Sequence, residues 1–138
     1  MRLAPDGIAI TADGLALELW GIRKMSLSDR HAHWLEERKI LAEKAAEIGV
    51  YSEGPRIAFP YIKAGKVVYS KCRLPEDKSS TIIKPKGQTQ DFLWLEHTLP
   101  ADPKTVPLII TEGELDALAL RQVGFQCVVS LPSGAASD

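Results

Sequence analysis

Three carboxylates follow a run of bulky apolar residues in the segment IITEGELDAL, residues 109–118. Glu112, Glu114 and Asp116 are candidates for chemistry, because an ionised carboxylate at the edge of a cleft can bind a divalent cation or accept a proton. Acidic residues are also common in the first turn of a helix, where the helix dipole stabilises negative charge. The segment alone leaves both interpretations open.

The residues around these carboxylates predict a strand–helix–strand unit with two parallel strands. VPLII and CVVSL are short continuous apolar runs, as expected for strands buried on both faces. Between them apolar residues recur at helical spacing, and Gly124 stands where a helix commonly ends. TEGE fits a capping box, in which Thr111 and Glu114 satisfy each other's free N–H groups. The helical positions are Leu115, Leu118, Ala119 and Val123.

Glu112 stands at the carboxyl end of the first predicted strand, the end at which parallel sheets bind ligands. Ser133 and Gly134 follow the same end of the second strand, so we expect them near Glu112 in space. The start of the helix carries partial positive charge, which keeps the Glu112 carboxylate ionised. Position therefore favours Glu112 as a functional carboxylate, with Asp116 one turn along as a second candidate and Glu114 as the capping partner.

Basic residues are concentrated between residues 56 and 87, although the whole chain has a net charge of -1. That segment holds eight basic and two acidic residues, a local excess that is typical of phosphate-binding surfaces. Alternation in VVYSKCR places Tyr69, Lys71 and Arg73 on one face of a strand. Such a stripe can hold a nucleotide or a single strand by stacking and charge. A solvated sheet face explains the same pattern.

The same segment carries the signals of a small antiparallel sheet. RIAFPYI and KVVYSKCR flank KAG, which suits a hairpin with Gly65 in its turn. LPEDKSS is a second predicted turn, and TIIK a third short strand. Pro60 indicates that the first strand is irregular or lies at an edge. Residues 88–106 predict a loop with a short element, in which the apolar run FLWL anchors into the core.

Residues 28–48 predict helix. Ser28 or Asp29 can cap its start by accepting a hydrogen bond from a free backbone N–H, and Gly49 is a stop signal. The segment ERKI in the middle marks a possible break into two short helices. The apolar face of this region is supplied by Trp34, Leu35, Leu41, Ala45 and Ile48.

The composition is that of one soluble globular domain. The chain has 138 residues, of which 45% are apolar and 25% charged, enough to bury a core without disulfides. Cys72 and Cys127 are its two cysteines, and the absence of a C-x-x-C motif excludes a Cys-rich zinc site within it. His31 and His33 are two residues apart and so lie on different sides of a helix, which excludes a two-His metal clamp. We expect both histidines at the surface.

The first 25 residues predict little about function. IAITADGLALEL can form a hairpin that turns at Asp13–Gly14, a favoured two-residue turn, and residues 15–20 can equally begin a helix. Pro5 and Asp6 interrupt the apolar run that a signal peptide needs. No stretch approaches the roughly 20 apolar residues of a membrane span. We therefore expect a cytoplasmic protein.

The combination of these segments resembles a known family. LIITEGELDALALRQVGF, followed by VVSLPSGA, is similar to the opening of a Toprim domain, the catalytic fold of bacterial-type primases and of type IA and II topoisomerases. IAFPYIKAGKVVYSKCR resembles the basic sheet that precedes Toprim in primases, especially phage-type primase-helicases and their mitochondrial helicase relative. HWLEERKILAEKAAEIGVYSE resembles the helical lead-in of that subfamily. The resemblance covers residues 28–136.

The resemblance implies an α+β fold in four parts. After a poorly defined segment at residues 1–27 comes a helical lead-in at 28–55. A small, mostly antiparallel basic sheet with a linker follows at 56–106. The last part, 107–138, is the first parallel β-α-β unit of a Toprim domain. Because the basic sheet is primase-like, a topoisomerase or a nuclease of the same fold is disfavoured.

The activity implied by the resemblance is the template-directed joining of ribonucleotides into a primer on single-stranded DNA. Glu112 matches the Toprim glutamate, which is implied to act as general acid/base beside catalytic Mg²⁺, and Asp116 matches the acid of the same motif. Lys71, Arg73 and Lys78 fall among basic positions implied in nucleotide or template contact. The implied partners are single-stranded DNA, ribonucleotides, and the helicase part of the protein or a replicative helicase.

Two departures from the family pattern bear on these expectations. Lys39 stands where glycine is more usual in the lead-in, which affects a turn. The Asp-x-Asp pair that holds the metal in the family is not matched, and Asp138 does not supply it. Mg²⁺ prefers six oxygen ligands, so Glu112 alone is an incomplete metal site. The zinc-binding module and the helicase motor of the family are not matched either.

We therefore expect a fragment of a DNA primase that is inactive alone. The alternative is a non-catalytic module that binds single-stranded DNA in a primase-related replicative helicase. An open sheet with two Toprim strands leaves an exposed edge and part of an apolar face uncovered. Such a surface predicts self-association or marginal stability.

Overall fold

The computed structural model describes residues 26–88, 91–101 and 106–132, together with the backbone of residues 2–3 and 9–10. Two short antiparallel strands, β1 (Arg2–Leu3) and β2 (Ala9–Ile10), come first. The helices are α1 (Asp29–Glu37), α2 (Ala42–Ile48) and α3 (Glu114–Gln122), and a 3-10 turn covers Glu96–Thr98. The remaining strands are β3 (Tyr51–Glu53), β4 (Arg56–Lys63), β5 (Lys66–Leu74), β6 (Asp77–Lys84), β7 (Ile109–Thr111) and β8 (Val128–Ser130).

These elements form an α+β fold, as the sequence predicts. Strands β3 to β6 make a four-stranded antiparallel sheet in chain order, and β7 pairs in parallel with β8. No helix in the part of the chain that the structure describes is long and apolar enough to cross a membrane. The predicted turn at Asp13–Gly14 and the predicted position of Ser133 and Gly134 lie outside the described residues.

The helical lead-in is broken where the sequence predicts. Ser28 caps α1, and its hydroxyl accepts a hydrogen bond from the His31 backbone N–H at 3.2 Å. Helix α1 ends at Glu37, and α2 ends at Ile48 and is capped by Gly49, whose φ of 105° lies in the left-handed region. Between the helices Lys39 has a φ of 64°. The lysine therefore occupies a left-handed turn position that favours glycine.

Lys39→Gly is expected to raise the free energy of unfolding by about 0.5–1 kcal/mol, because glycine enters the left-handed region without the Cβ clash. Urea denaturation measures the change. Lys39→Ala is the matched control, since it also removes the charged chain but keeps the Cβ. Equal stability of the two variants would show that the backbone at this position is not strained.

The hairpin between β4 and β5 turns at Ala64 and Gly65, which both have positive φ, as in a type I′ turn. Pro60 lies on β4 beyond the last residue that pairs with β3, so at that point β4 has a neighbour on one side only. Proline is tolerated at such a position, because an N–H on the open side of a strand has no ladder partner to lose. Strand β6 begins at Asp77, so the turn predicted at LPEDKSS is shorter than expected.

One face of the four-stranded sheet carries the main core. Phe59 and Tyr61 of β4 face the same side as Tyr69 of β5, and α1 and α3 contribute to the same apolar cluster. The FLWL segment enters this core, as predicted. Its Trp94 is fully buried, and its ring packs edge-on against Phe59 with centroids 5.5 Å apart. Other buried members are Trp34, Leu35, Ile57, Phe92, Leu95, Ala117, Leu118 and Val128.

Trp94 joins the two sheets. Its backbone exchanges two hydrogen bonds with Ser130 of β8, at 2.9 and 3.1 Å. Its indole N–H donates to the Pro60 carbonyl of β4 at 3.0 Å. The β7–β8 pair is thus tied to the antiparallel sheet through one residue of the connecting loop.

His31 is buried, and the predicted surface position is wrong for this residue. Its Nδ1 lies 2.6 Å from the Ser52 hydroxyl, and its Nε2 lies 3.1 Å from the Pro55 carbonyl. The carbonyl can only accept, so Nε2 carries a proton. The ring fastens α1 to the turn between β3 and β4, whereas His33 is exposed, as predicted.

Strand β7 is not buried on both faces, contrary to the prediction. Ile110 and Leu108 are 55% and 47% exposed. Among the described residues, β7 pairs with β8 alone and lies at the edge of that sheet. Helix α3 likewise buries Ala117 and Leu118, whereas Val123 at its end is exposed. The apolar surface left uncovered agrees with the expectation for a sheet of two strands.

Candidate functional site

Glu112 lies where the sequence places it. It follows Thr111, the last residue of β7, and precedes Gly113, the N-cap of α3. Thr111 is in parallel register with Ser130 of β8, so the carboxyl ends of both strands meet beside it. Glu112 is exposed at this edge. Its carboxylate is therefore accessible to a ligand and close to the positive end of a helix.

The predicted capping box does not form. The N-cap of α3 is Gly113, which has no side chain to accept a hydrogen bond. The Thr111 hydroxyl lies 2.9 Å from the Gly113 carbonyl and 3.2 Å from the Val129 carbonyl, and so donates toward the backbone. Glu114 turns away from the helix start into the protein, because two partners on the antiparallel sheet hold its carboxylate.

Those partners are Tyr61 and Lys71. The Tyr61 hydroxyl donates to Glu114 Oε2 at 2.6 Å, and Lys71 Nζ lies 3.2 Å from the same oxygen. Lys71 Nζ also donates to the Pro132 carbonyl at 2.6 Å. Burial, followed by the Glu114 charge, raises the pKa of Tyr61 well above its usual value, so the phenol stays protonated and can donate. We call these four residues the interlock.

The interlock changes the interpretation of Lys71. Its ammonium group is held by a carboxylate and a carbonyl, and its side chain is 17% exposed. The predicted nucleotide contact requires a free cation, whereas this one neutralises Glu114. The interlock instead fixes the loop after β8 against the antiparallel sheet, at the same edge as Glu112.

Tyr69 is not an exposed stacking platform, and the contact predicted for it is wrong in this respect. Its ring is fully buried and stacks on Tyr61, with centroids 4.5 Å apart and an interplanar angle of 14°. Phe92 packs against the edge of this pair. Alternation does place Tyr69, Lys71 and Arg73 on one face, but that face lies against the core.

Arg73 and Lys78 have different surroundings. The half-buried Arg73 has its guanidinium 5.3 Å from the ring centroid of Trp34, and it donates to the Pro75 carbonyl at 3.0 Å. Lys78 is exposed near the start of β6. It follows Asp77, whose partner Leu74 is the neighbour of Arg73 in β5. Of the three predicted basic residues, Lys71 is held in the interlock, Arg73 is half-buried and Lys78 is exposed.

Asp116 is exposed in the first turn of α3. Its Oδ2 would be 3.9 Å from the Cβ of a larger residue at position 113, so the carboxylate lies beside Gly113 at the start of the helix. Across residues 26–88, 91–101 and 106–132, no three His, Cys, Asp or Glu side chains come together as a metal site. Because Mg²⁺ prefers six oxygen ligands, the described residues do not fit a complete Mg²⁺ site.

The fold built from this helical lead-in, antiparallel sheet and β-α-β unit is similar to that of a solved structure. The DnaG catalytic core has this fold. The two chains superpose with a TM-score of 0.59 at 16% identity, over 88% of this chain and 55% of that one. No protein-family model matches the chain, and no curated protein matches it. At this identity the similarity establishes a shared fold.

The interlock is the part of the site that sequence reasoning missed. The sequence predicts a local cap for Glu114, because Thr111 stands three residues before it, which is the spacing of a capping box. The sequence around Lys71 nevertheless carries a signal for this ion pair. Lys71 stands between Tyr69 and Arg73 on an inward-facing stripe, and a lysine on a covered face needs an anionic partner.

Proposed function

We propose that the chain is part of a Toprim-type DNA primase of the phage primase-helicase kind, which makes RNA primers on single-stranded DNA in the cytoplasm. The observation that carries this proposal is the exposed Glu112 at the carboxyl edge of a β-α-β unit that follows a basic antiparallel sheet. The DnaG catalytic core is similar in fold to this chain. The chain spans 55% of that core.

In this proposal Glu112 and Asp116 are the carboxylates of the reaction. Both are exposed near the start of α3. Glu112 can exchange a proton with a reacting hydroxyl, because its carboxylate is accessible at the sheet edge. Mg²⁺, when bound, would neutralise phosphate charge, and Glu112 would hold it together with oxygen ligands beyond those of the described residues.

The chain is expected to bind single-stranded DNA in a salt-dependent manner and to synthesise no primer alone. Fluorescence anisotropy with a labelled oligo(dT), titrated with salt, measures binding, and dinucleotide synthesis with Mg²⁺ measures activity. Each phosphate contact contributes a slope of about -0.7 in log K against log salt. Lys78→Glu should weaken binding, whereas Lys44→Glu on α2, outside the sheet, is the control. Absence of binding at low salt would overturn the proposal.

The main alternative is a non-catalytic module that binds single-stranded DNA. It is favoured by the lack of a complete metal site among the described residues. Mn²⁺ broadening of amide NMR signals distinguishes the two functions. In a primase, broadening centres on Glu112 and is lost in Glu112→Gln. Robust primer synthesis that disappears in Glu112→Gln would rule out the non-catalytic module.

A further inference from the structure

A cleft lies between α2, the 3-10 turn and the end of α3, and we call it the α2–α3 cleft. Its volume is about 400 Å³, within the range of small-molecule sites. Three of its lining residues are apolar: Leu118 is buried, Ile48 is half-buried, and Phe125 is 50% exposed. The polar residues that line it are Lys44, Glu47, Thr98, Arg121, Gln122 and Gln126.

The α2–α3 cleft is separate from the edge that carries Glu112. Arg121 belongs to the last turn of α3, whereas Glu112 precedes its first turn. A helix of nine residues is about 13 Å long. The cleft therefore lies at the other end of α3 from the candidate carboxylates, and none of them lines it.

The charged residues of the cleft leave one positive charge without a partner. Lys44 Nζ lies 3.7 Å from Glu47 Oε2, so these two charges offset each other. In the described part of the chain, no carboxylate lies within ion-pair distance of Arg121. Burial and then the charge of Arg121 lower the pKa of His97. This neighbour is therefore neutral at physiological pH and adds no charge to the cleft.

Arg121 is held in place by one of its nitrogens and has donors left over. Its Nη1 donates to the Gln126 carbonyl at 2.8 Å and to the Thr98 hydroxyl at 3.3 Å. These two contacts tie the end of α3 to the 3-10 turn and to the connection before β8. The Nε and Nη2 groups have no acceptor among the described residues. A guanidinium group fixed in this way loses little side-chain freedom when it binds a ligand.

The amide of Gln122 cannot supply further contacts to a ligand. Its Oε1 accepts from the Leu41 backbone N–H at 2.8 Å, and its Nε2 donates to the Lys39 carbonyl at 2.6 Å. Arg121 is consequently the main source of unused hydrogen-bond donors among the charged and amide groups of α3 that line the cleft. Beside it, Phe125 offers a half-exposed aromatic surface.

We infer that the α2–α3 cleft binds a small organic monocarboxylate whose apolar body lies against Phe125 and Ile48. A carboxylate matches a guanidinium group in charge and planar shape and accepts paired hydrogen bonds from it. The single unpaired cation fits one negative charge, whereas a polyphosphate would bring several charges close to Glu47. The inference goes beyond the proposed function and does not rest on it.

Titration of the full chain with sodium benzoate, followed by amide NMR, tests the inference. Benzoate is expected to bind with a dissociation constant on the order of 1 mM, with shifts centred on Gly124, Phe125 and Gln126. Benzamide, the neutral analogue, should bind about tenfold more weakly, because it lacks the charge-assisted hydrogen bond. Acetate should also bind more weakly, because it has no apolar body. Equal affinity for benzoate and benzamide would overturn the inference, as would shifts centred elsewhere.

Three variants assign the binding to named side chains. Arg121→Gln should weaken benzoate binding about tenfold and remove the preference over benzamide. Phe125→Ala should weaken both aromatic probes about threefold and keep the preference. Arg30→Gln is the matched control, because Arg30 is exposed and pairs with Glu76, and it should stay within about twofold of the wild type. If Arg121→Gln does not fold, the wild-type preference and its response to Phe125→Ala still decide.

The outcomes separate this inference from the proposed function. Benzoate binding that depends on Arg121, in a chain that does not bind oligo(dT), supports the cleft and contradicts the proposed function. Binding of oligo(dT) without a saturable benzoate shift up to about 20 mM overturns the cleft alone. Inorganic pyrophosphate that displaces benzoate at a lower concentration than benzoate itself requires would overturn the assignment to a monocarboxylate.

Discussion

Lys71→Met is expected to lower the free energy of unfolding by about 3 kcal/mol, because it leaves the Glu114 carboxylate buried without its cation. The pair is well shielded, since the side chains of Lys71 and Glu114 are 17% and 9% exposed. Glu114→Gln is expected to cost less. Its amide oxygen can still accept the Tyr61 hydrogen bond, and Lys71 keeps the Pro132 carbonyl.

Urea denaturation of both single variants and of the double variant measures the interlock, because a double-mutant cycle isolates the coupling between two groups. We expect the double variant to lose less free energy of unfolding than the two single variants lose together, by about 1 kcal/mol or more. Lys44→Met is the matched control, since Lys44 pairs with Glu47 on the exposed face of α2. If Lys71→Met costs no more than this control, the ion pair does not stabilise the fold.

Ile110→Lys is expected to convert a self-associating chain into a monomer. Ile110 and Leu108 are two residues apart on one face at the β7 edge, and both are about half exposed. A free strand edge with an apolar face pairs readily with another chain, and a charged side chain on it prevents that pairing.

Sedimentation velocity at about 100 µM protein, within the range in which such surfaces associate, provides the measurement. Leu41→Lys is the control, because Leu41 is 54% exposed but lies beside α2, away from β7. A wild-type chain that sediments as a 15.1 kDa monomer would contradict the prediction. Equal dissociation in both variants would show that association does not use the β7 edge.

The parts of the fold that the sequence predicts correctly depend on near neighbours in the chain. Ser28 caps α1 three residues away, and Gly65 turns a hairpin whose strands follow on either side. Glycines end helices because they enter the left-handed region easily. The parallel pairing of β7 with β8 also follows from a short apolar–helical–apolar pattern. In each case the decisive interaction lies within one element or one connection.

The errors concern residues whose partners are distant in sequence. Glu114 bonds to Tyr61 and Lys71, which are 53 and 43 residues away. His31 contacts Ser52 and the Pro55 carbonyl, 21 and 24 residues away. A local pattern offers each of them a simpler role, as a cap or as a surface side chain. The long-range contact forms instead of the local one, because it gives a buried polar group a hydrogen-bond partner.

The candidate site shows the same division. Glu112 is placed correctly because its position depends only on where β7 ends and α3 begins. Alternation correctly puts Tyr69 and Arg73 on one face, but it cannot tell which face the helices cover. The contact of Arg38 and Arg73 with one Trp34 ring could not be predicted, because it exists only once α1 packs on the sheet.

Trp94 limits how this chain can be divided in evolution or by design. Its backbone is hydrogen-bonded to Ser130 of β8, and its indole N–H donates to the Pro60 carbonyl of β4. A gene split between the antiparallel sheet and the β-α-β unit would leave each piece with half of this junction and with unpaired backbone groups. The lead-in, the sheet and the β-α-β unit are therefore expected to pass between proteins together, as a single inherited module.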